Sequence, residues 1–143
     1  MKLIFSVFLS LIPAVSFASG CEAFLGNYEG VFTDSYRSEY SEIRIAELTS
    51  REDGVRVFFR QGEGFEGYSV TYLTDGNAHP GDGKYTGAEY VATCDATSFV
   101  ITSRFAELNS PLGFRFSLQG NQLGLTESLG SYSRETGRLL RAR

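Results

Sequence analysis

The chain has 143 residues, of which 42% are hydrophobic and 21% are charged, a composition typical of a globular protein with one domain. Its 13 basic and 17 acidic residues give a net charge of -4, which disfavours non-specific binding to nucleic acid. Beyond the amino-terminal segment, no apolar run approaches the roughly 18 residues of a membrane-spanning helix. We therefore expect one domain, with no nucleic-acid partner and no transmembrane segment in the mature chain.

The amino terminus has the pattern of a secretory signal peptide. Lys2 supplies a positive charge, residues 3–11 form a largely apolar run, and Pro13 precedes a stretch of small residues. The apolar run is too short to cross a bilayer. The sequence therefore predicts export, with the mature protein periplasmic or secreted.

Two cleavage sites fit this segment. Cleavage after Ala18, at an A-x-A-like site, makes residues 1–18 the signal peptide and residues 19–143 the mature domain. The same segment also resembles a bacterial lipobox, in which residues 1–20 are removed and Cys21 carries lipid. The second site would make the protein a membrane-anchored lipoprotein.

The choice between these sites decides the state of the cysteines, of which the chain has two, Cys21 and Cys94. An even pair in an oxidising compartment favours one disulfide. Closing a loop of about 73 residues would stabilise the fold by about 4 kcal/mol in the chain-entropy treatment. If Cys21 is lipidated instead, Cys94 is left as a lone thiol.

The rest of the chain consists of short segments in which apolar and polar residues alternate, a period typical of β-strands. The predicted strands are Gly26–Phe32, Ser38–Glu47, Gly54–Arg60, Phe65–Leu73, Lys84–Cys94, Phe99–Phe105, Phe114–Leu118, Leu123–Ser128 and Arg138–Arg143. Their short connections make consecutive strands antiparallel neighbours, and closing such a meander removes its exposed edges. We therefore predict an all-β fold, a single antiparallel up-and-down β-barrel of eight to nine strands, with a β-sandwich as the alternative.

Alternation within each strand assigns one set of side chains to the interior. This set is Tyr28, Gly30, Phe32, Ile43, Ile45, Val55, Val57, Phe59, Tyr68, Val70, Tyr72, Tyr90, Ala92, Cys94, Phe99, Ile101, Phe114, Phe116 and Leu118. Interior hydroxyl groups at Tyr68, Tyr72 and Tyr90 either find buried partners in a packed centre or line a ligand cavity. These three tyrosines are candidate ligand-lining residues.

The last two predicted strands carry charges that need an interpretation. Glu127 has the same parity as the apolar residues Leu123 and Leu125, so it points inward unless the strand frays there. A buried carboxylate needs a basic partner, which Arg141 or Arg115 could supply. The arginines at the carboxyl end are otherwise explained as the exposed face of the last strand.

A resemblance to a known family rests on Phe24–Gly30, the segment that opens the first strand. This segment resembles the G-x-W start of lipocalin-like, calycin-type barrels, with Tyr28 where Trp is usual. In such barrels an Arg near the end of the last strand packs against this aromatic residue, so the resemblance implies that role for Arg141 and makes both residues ligand-lining candidates. The alternative is that the glycines of this segment relieve crowding where a strand bends.

The size and compartment are also similar to those of small periplasmic lysozyme inhibitors, and residues 81–85 resemble the loop that such proteins insert into an enzyme. This resemblance implies an envelope protein as the partner. This resemblance rests on the size, compartment and fold class of the inhibitors and not on a complete inhibitor motif.

Catalytic residue types are scarce in this chain. The one His, His79, lies in the longest polar segment, where the candidate loop residues are Asp75, Asn77, His79 and Asp82. The spacing of the acidic residues does not complete a calcium loop, because Pro80 occupies the turn position and Thr86 the twelfth. We expect no metal, no cofactor and no catalytic site.

The sequence thus predicts an exported, non-enzymatic barrel that binds a small ligand in its cavity or a partner at its loop rim. The expected ligand is an apolar or amphipathic small molecule. The alternative is an inhibitor or interaction protein of the cell envelope.

Overall fold

The computed structural model describes residues 20–33, 38–48, 51–62, 64 and 66–143. The predicted signal peptide and both cleavage sites within it lie outside the described residues. Among the residues described, no helix combines the length and the apolar character needed to cross a membrane.

Ten β-strands and two short 3-10 turns make up the described part of the chain, so the strand count of eight to nine was wrong. The 3-10 turns are Glu22–Phe24 and Gly83–Tyr85. The strands are β1 Gly26–Thr33, β2 Ser38–Leu48, β3 Arg51–Gln61, β4 Tyr68–Leu73, β5 Asp75–Pro80, β6 Glu89–Cys94, β7 Ser98–Arg104, β8 Leu112–Gln119, β9 Gln122–Leu129 and β10 Tyr132–Arg141.

All neighbouring strands are antiparallel, and they form one sheet in the order β4-β3-β2-β1-β10-β9-β8-β7-β6-β5. The pairing of β1 with β10, in which Tyr28 lies opposite Arg141, joins the first and last strands. Gly120 and Gly130, with φ of 62° and 59°, begin the tight turns that link β8 to β9 and β9 to β10. The predicted antiparallel up-and-down barrel is therefore confirmed.

The barrel is nearly closed, with β4 and β5 as the two ends of the sheet. Side chains satisfy backbone groups along the β4 edge. The N–H of Thr71 donates to Asp82 Oδ1 at 3.0 Å, and the N–H of Leu73 donates to the Tyr90 hydroxyl at 2.9 Å. These bonds protect an edge that would otherwise be open to another strand.

The segment Asp75–Pro80, predicted as a loop, is strand β5. It pairs with β6 through Ala78 and His79, and its register is irregular between Asp75 and Ala78. Pro80, which has no N–H, occupies the last position of this edge strand, where proline is tolerated. The strand predicted to begin at Lys84 begins instead at Glu89, because the second 3-10 turn precedes it.

Many of the side chains that alternation assigned to the interior are buried. Those that are buried include Tyr28, Ile43, Ile45, Val55, Val57, Val70, Tyr72, Tyr90, Ala92, Phe99, Ile101 and Phe116. Apolar burial on this scale is the main favourable contribution to folding. The predicted inward faces are confirmed for these residues.

One end of the barrel is closed by the amino-terminal segment. Cys21 and Cys94 form a disulfide with a Cα–Cα distance of 5.2 Å, so the predicted disulfide is confirmed. Phe24, fully buried, packs edge-on against Phe99 with ring centroids 6.1 Å apart. The Tyr28 hydroxyl donates to the Phe24 carbonyl at 2.8 Å. We call this end, with the disulfide and the first 3-10 turn, the plugged end.

Candidate functional site

A cavity of about 340 Å³ lies inside the barrel toward the end opposite the disulfide. It is bounded there by Gln61 at the end of β3, by Tyr68 at the start of β4 and by Leu112 at the start of β8. We call this the open end. The inner part of the cavity, its floor, is lined by the apolar side chains of Ile43, Val57, Val70, Ile101, Phe116 and Leu125.

Polar side chains surround the cavity nearer the open end. They form what we call the polar belt, made of Gln61, Tyr68, Lys84, Tyr85, Glu127 and Arg134. Glu127 Oε2 and an Arg134 guanidinium nitrogen are 3.6 Å apart, with 38% and 30% of their side chains exposed. A cavity with an apolar floor and a few polar groups has the usual composition of a small-molecule site.

Arg134 reaches the cavity because of an irregularity in β10. The register shifts between Glu135 and Gly137, so that Thr136 is an extra residue in this strand. Leu139 faces inward, and strict alternation from it would point Arg134 outward. The bulge reverses the parity, and both Arg134 and Thr136 line the cavity.

The partner of Glu127 is therefore Arg134, and not Arg141 or Arg115, which the sequence offered as possible partners beside the alternative of a frayed strand end. The interpretation of the carboxyl-terminal arginines as one exposed face is also wrong for Arg134, because this side chain lines the cavity. A glycine within a strand often marks a bulge, so Gly137 was the signal in the sequence for this inward arginine.

The tyrosines of the belt are held as neutral phenols. Burial, together with the neighbouring Tyr85, raises the pKa of Tyr68 well above its usual range, and the two side chains are hydrogen-bonded. Burial likewise raises the pKa of Tyr72 and Tyr85. The Lys84 ammonium lies 4.4 Å from the centroid of the Tyr68 ring, a cation–π contact. The belt thus offers hydroxyl groups and cations to a ligand.

Of the five candidate ligand-lining residues, Tyr68 and Tyr72 line this cavity. Tyr90 packs beside Tyr72, with ring centroids 5.1 Å apart, and its hydroxyl accepts the Leu73 N–H at the β4 edge. Tyr28 and Arg141 lie at the plugged end, where the guanidinium is 5.2 Å from the ring centroid and donates to the hydroxyl at 2.6 Å. Arg141 thus makes the contact that the lipocalin-like resemblance implied, away from the cavity.

The candidate loop residues are divided between two places. Asp75 Oδ1 accepts the N–H of Asn77 at 2.9 Å and lies 2.8 Å from His79 Nε2. The first of these bonds, with a smaller effect of His79, lowers the pKa of Asp75 to about 2. Asp82 instead bonds the Thr71 N–H of β4. In the part of the chain that the structure describes, no three His, Cys, Asp or Glu side chains form a group that could hold a metal ion.

Residues 81–85, which resemble an inhibitor loop in sequence, lie against the barrel. The second 3-10 turn packs beside β4, and Lys84 and Tyr85 contribute to the cavity lining. The Tyr85 ring also contacts Phe105 at a centroid distance of 5.7 Å. This segment is therefore a wall of the cavity.

No protein-family model matches the chain, and no curated protein matches its sequence. Solved structures match its fold. A variant of the fluorescent protein UnaG gives a TM-score of 0.66 at 13% identity, covering 85% of this chain and 98% of its own. Secretory abundant heat soluble protein 4 from Ramazzottius varieornatus gives 0.67 at 11% identity, over 85% and 96%. The fatty acid binding protein of Schistosoma mansoni, in complex with arachidonic acid, gives 0.66 at 10% identity, over 87% and 99%.

These matches define the class of the fold. The chain shares the antiparallel β-barrel fold of these structures. At sequence identities of 10% to 13%, these matches show a shared fold and do not identify a ligand of this chain. The narrower resemblance to lipocalins stays a prediction.

Proposed function

We propose that this protein binds a small apolar or amphipathic molecule in the barrel cavity. The observation that carries the proposal is a cavity of about 340 Å³ with an apolar floor and a polar belt. Ligand pockets range over roughly 300–1,000 Å³ and have this composition. The Schistosoma mansoni barrel, a structural neighbour, is named for fatty acid binding, which supports the same class of ligand.

The distribution of side chains also supports an orientation for the ligand. Its apolar part lies on the floor formed by Ile43, Val57 and the other aliphatic and aromatic residues, where burial removes apolar surface from water. Its polar part lies at the belt, within reach of Lys84, Glu127 and Arg134. The proposed role is binding, and His79, the one His of the chain, lies on edge strand β5, bonded to Asp75.

Filling the cavity tests the proposal. Val70 is 2% exposed and lies on the floor, so Val70→Trp places an indole ring in the cavity at a strain cost of about 1–3 kcal/mol. We expect affinity for Nile red, and for dodecanoate that displaces it, to fall at least about tenfold in a fluorescence titration. Val31→Trp is the matched control, because Val31 is 52% exposed on the outer face of β1.

The melting transition of each variant shows whether it is folded. Ile101→Phe makes a smaller addition to the same floor and serves if Val70→Trp does not fold. Folded floor variants that bind Nile red as tightly as the parent would overturn the proposal.

We further propose that the protein acts outside the cytoplasm. The amino-terminal sequence pattern supports export, and a disulfide between Cys21 and Cys94 is a bond that persists in oxidising compartments. Because that bond occupies Cys21 Sγ, it and a lipid thioether on the same atom exclude one another. Intact mass of the natively exported protein, before and after reduction, separates the two: a gain of two hydrogens marks the disulfide, and a lipid mass on Cys21 would contradict it.

A further inference from the structure

On the inward face of β9, the polar belt lies between two apolar layers. Leu125 lies opposite Phe116 and forms part of the floor. Two residues further along β9, Glu127 lies opposite Phe114 on one side and Arg134 on the other. The floor and the belt are thus two residues apart along the strand, a distance of about 7 Å.

The next inward-facing position is apolar on all three strands, β8, β9 and β10. Leu129 lies opposite Leu112 on β8 and opposite Tyr132 on β10. Leu112 lines the cavity, whereas Leu129 and Tyr132 are 46% and 65% exposed. We call these three side chains the apolar rim. They share the inward parity of the belt, so the rim extends the cavity wall beyond the polar belt into solvent.

The belt itself carries charges of both signs. Glu127 offers carboxylate oxygens as acceptors, and Arg134 and Lys84 offer N–H donors. A ligand carboxylate at this level would compete with Glu127 for Arg134 and Lys84, since like charges at short range are unfavourable in a partly buried site. An amide satisfies both signs, because its carbonyl accepts from a cation while its N–H donates to Glu127.

We infer that the ligands of this cavity are acyl amides with two apolar arms, a class that rests on the proposed function and narrows it. The longer arm lies on the floor, the amide group at the polar belt and the shorter arm against the apolar rim. Floor, belt and rim occur in this order along β9, at Leu125, Glu127 and Leu129, and a molecule with a terminal polar group would leave the rim in water.

Three ligands that share one acyl chain test the inference by displacement of Nile red from the full mature chain with its disulfide intact. N-butyl dodecanamide has both arms, dodecanamide lacks the second arm, and dodecanoate ends in a carboxylate. We expect N-butyl dodecanamide to bind about tenfold more tightly than dodecanamide, because its butyl group is partly buried at the rim. Dodecanoate should bind more weakly than N-butyl dodecanamide.

Variants of the apolar rim test whether the rim causes this difference in affinity between the two amides. Leu129→Ser and Tyr132→Ser should each reduce the advantage of N-butyl dodecanamide and leave the affinity for dodecanamide unchanged. Leu140→Ser is the matched control, because Leu140 is 52% exposed on the outer face of β10, and it should change neither affinity.

The outcomes separate the inference from the proposed function. Equal affinities for the two amides, or an advantage that both rim variants retain, would overturn the inference and leave the proposed function intact if the floor variants still lose binding. Failure of all three ligands and of Nile red to bind would overturn both.

Discussion

Asp75 illustrates how one exposed side chain bonds the backbone at an edge of the barrel. Its carboxylate accepts the N–H of Asn77, two residues later in β5, and contacts His79 on the same strand. Such a local bond gives the backbone of an edge strand a partner that a neighbouring strand would otherwise supply. The bond favours the ionised carboxylate, which is why its pKa is lowered from 3.8 to about 2.

This pKa has a consequence for stability against pH. A carboxyl whose pKa is lower in the folded than in the unfolded protein stabilises the fold above its unfolded pKa, and that contribution is lost as the pH falls through the folded value. Asp75→Asn keeps an acceptor oxygen and removes the charge. We expect the difference in unfolding free energy between parent and variant to be present at neutral pH and to vanish between pH 3.8 and about 2 in urea titrations. A difference that is constant over this range would contradict the role of the charge.

At the scale of the element, β4 and β5 decide how the barrel is completed. Both are six-residue strands at the ends of the sheet, and the segment that follows β5 returns to cover β4 through Asp82 and the second 3-10 turn. The side-chain bonds to Thr71 and Leu73 replace part of a strand-to-strand ladder. An edge treated in this way is protected against pairing with another chain.

Removal of the Asp82 carboxylate tests this account. Asp82→Ala leaves the Thr71 N–H without that acceptor, and we expect its hydrogen exchange to accelerate by about tenfold, as a bond worth roughly 1 kcal/mol would imply. Asp82→Asn retains an acceptor oxygen and should keep most of the protection. Equal exchange in the parent and both variants would show that other contacts of the second 3-10 turn hold this edge.

Elements with regular alternation were predictable from the sequence, and irregular ones were not. β7 buries every second side chain, at Phe99, Ile101 and Ser103, and β3 does so at Val55 and Val57, so these faces follow from pattern alone. β5 was missed because Gly76, Asn77 and Pro80 favour turns locally, and only pairing with β6 makes this segment a strand. Arg134 was missed because a bulge changes parity within β10, and its position depends on the register with β9.

For the whole molecule, the two ends of the barrel have separate roles. The plugged end holds the disulfide, Phe24 and the bonds from Arg141 to Tyr28 and to the Ala23 carbonyl. The open end holds the cavity, the polar belt and the apolar rim. The disulfide and the cavity therefore lie in different layers of one sheet, and we expect a change at one end to leave the property of the other largely intact.

A variant that replaces both cysteines measures this separation. The disulfide joins residues 73 positions apart, and its loss, as in Cys21→Ser with Cys94→Ser, should lower the unfolding free energy by about 2–5 kcal/mol, because the unfolded chain regains freedom. At a temperature where the variant is still folded, its affinity for Nile red should match the parent, since the cavity floor lies on other residues. A fall in affinity comparable to that of Val70→Trp would mean that the plug also shapes the cavity, and the two ends would then act as one unit.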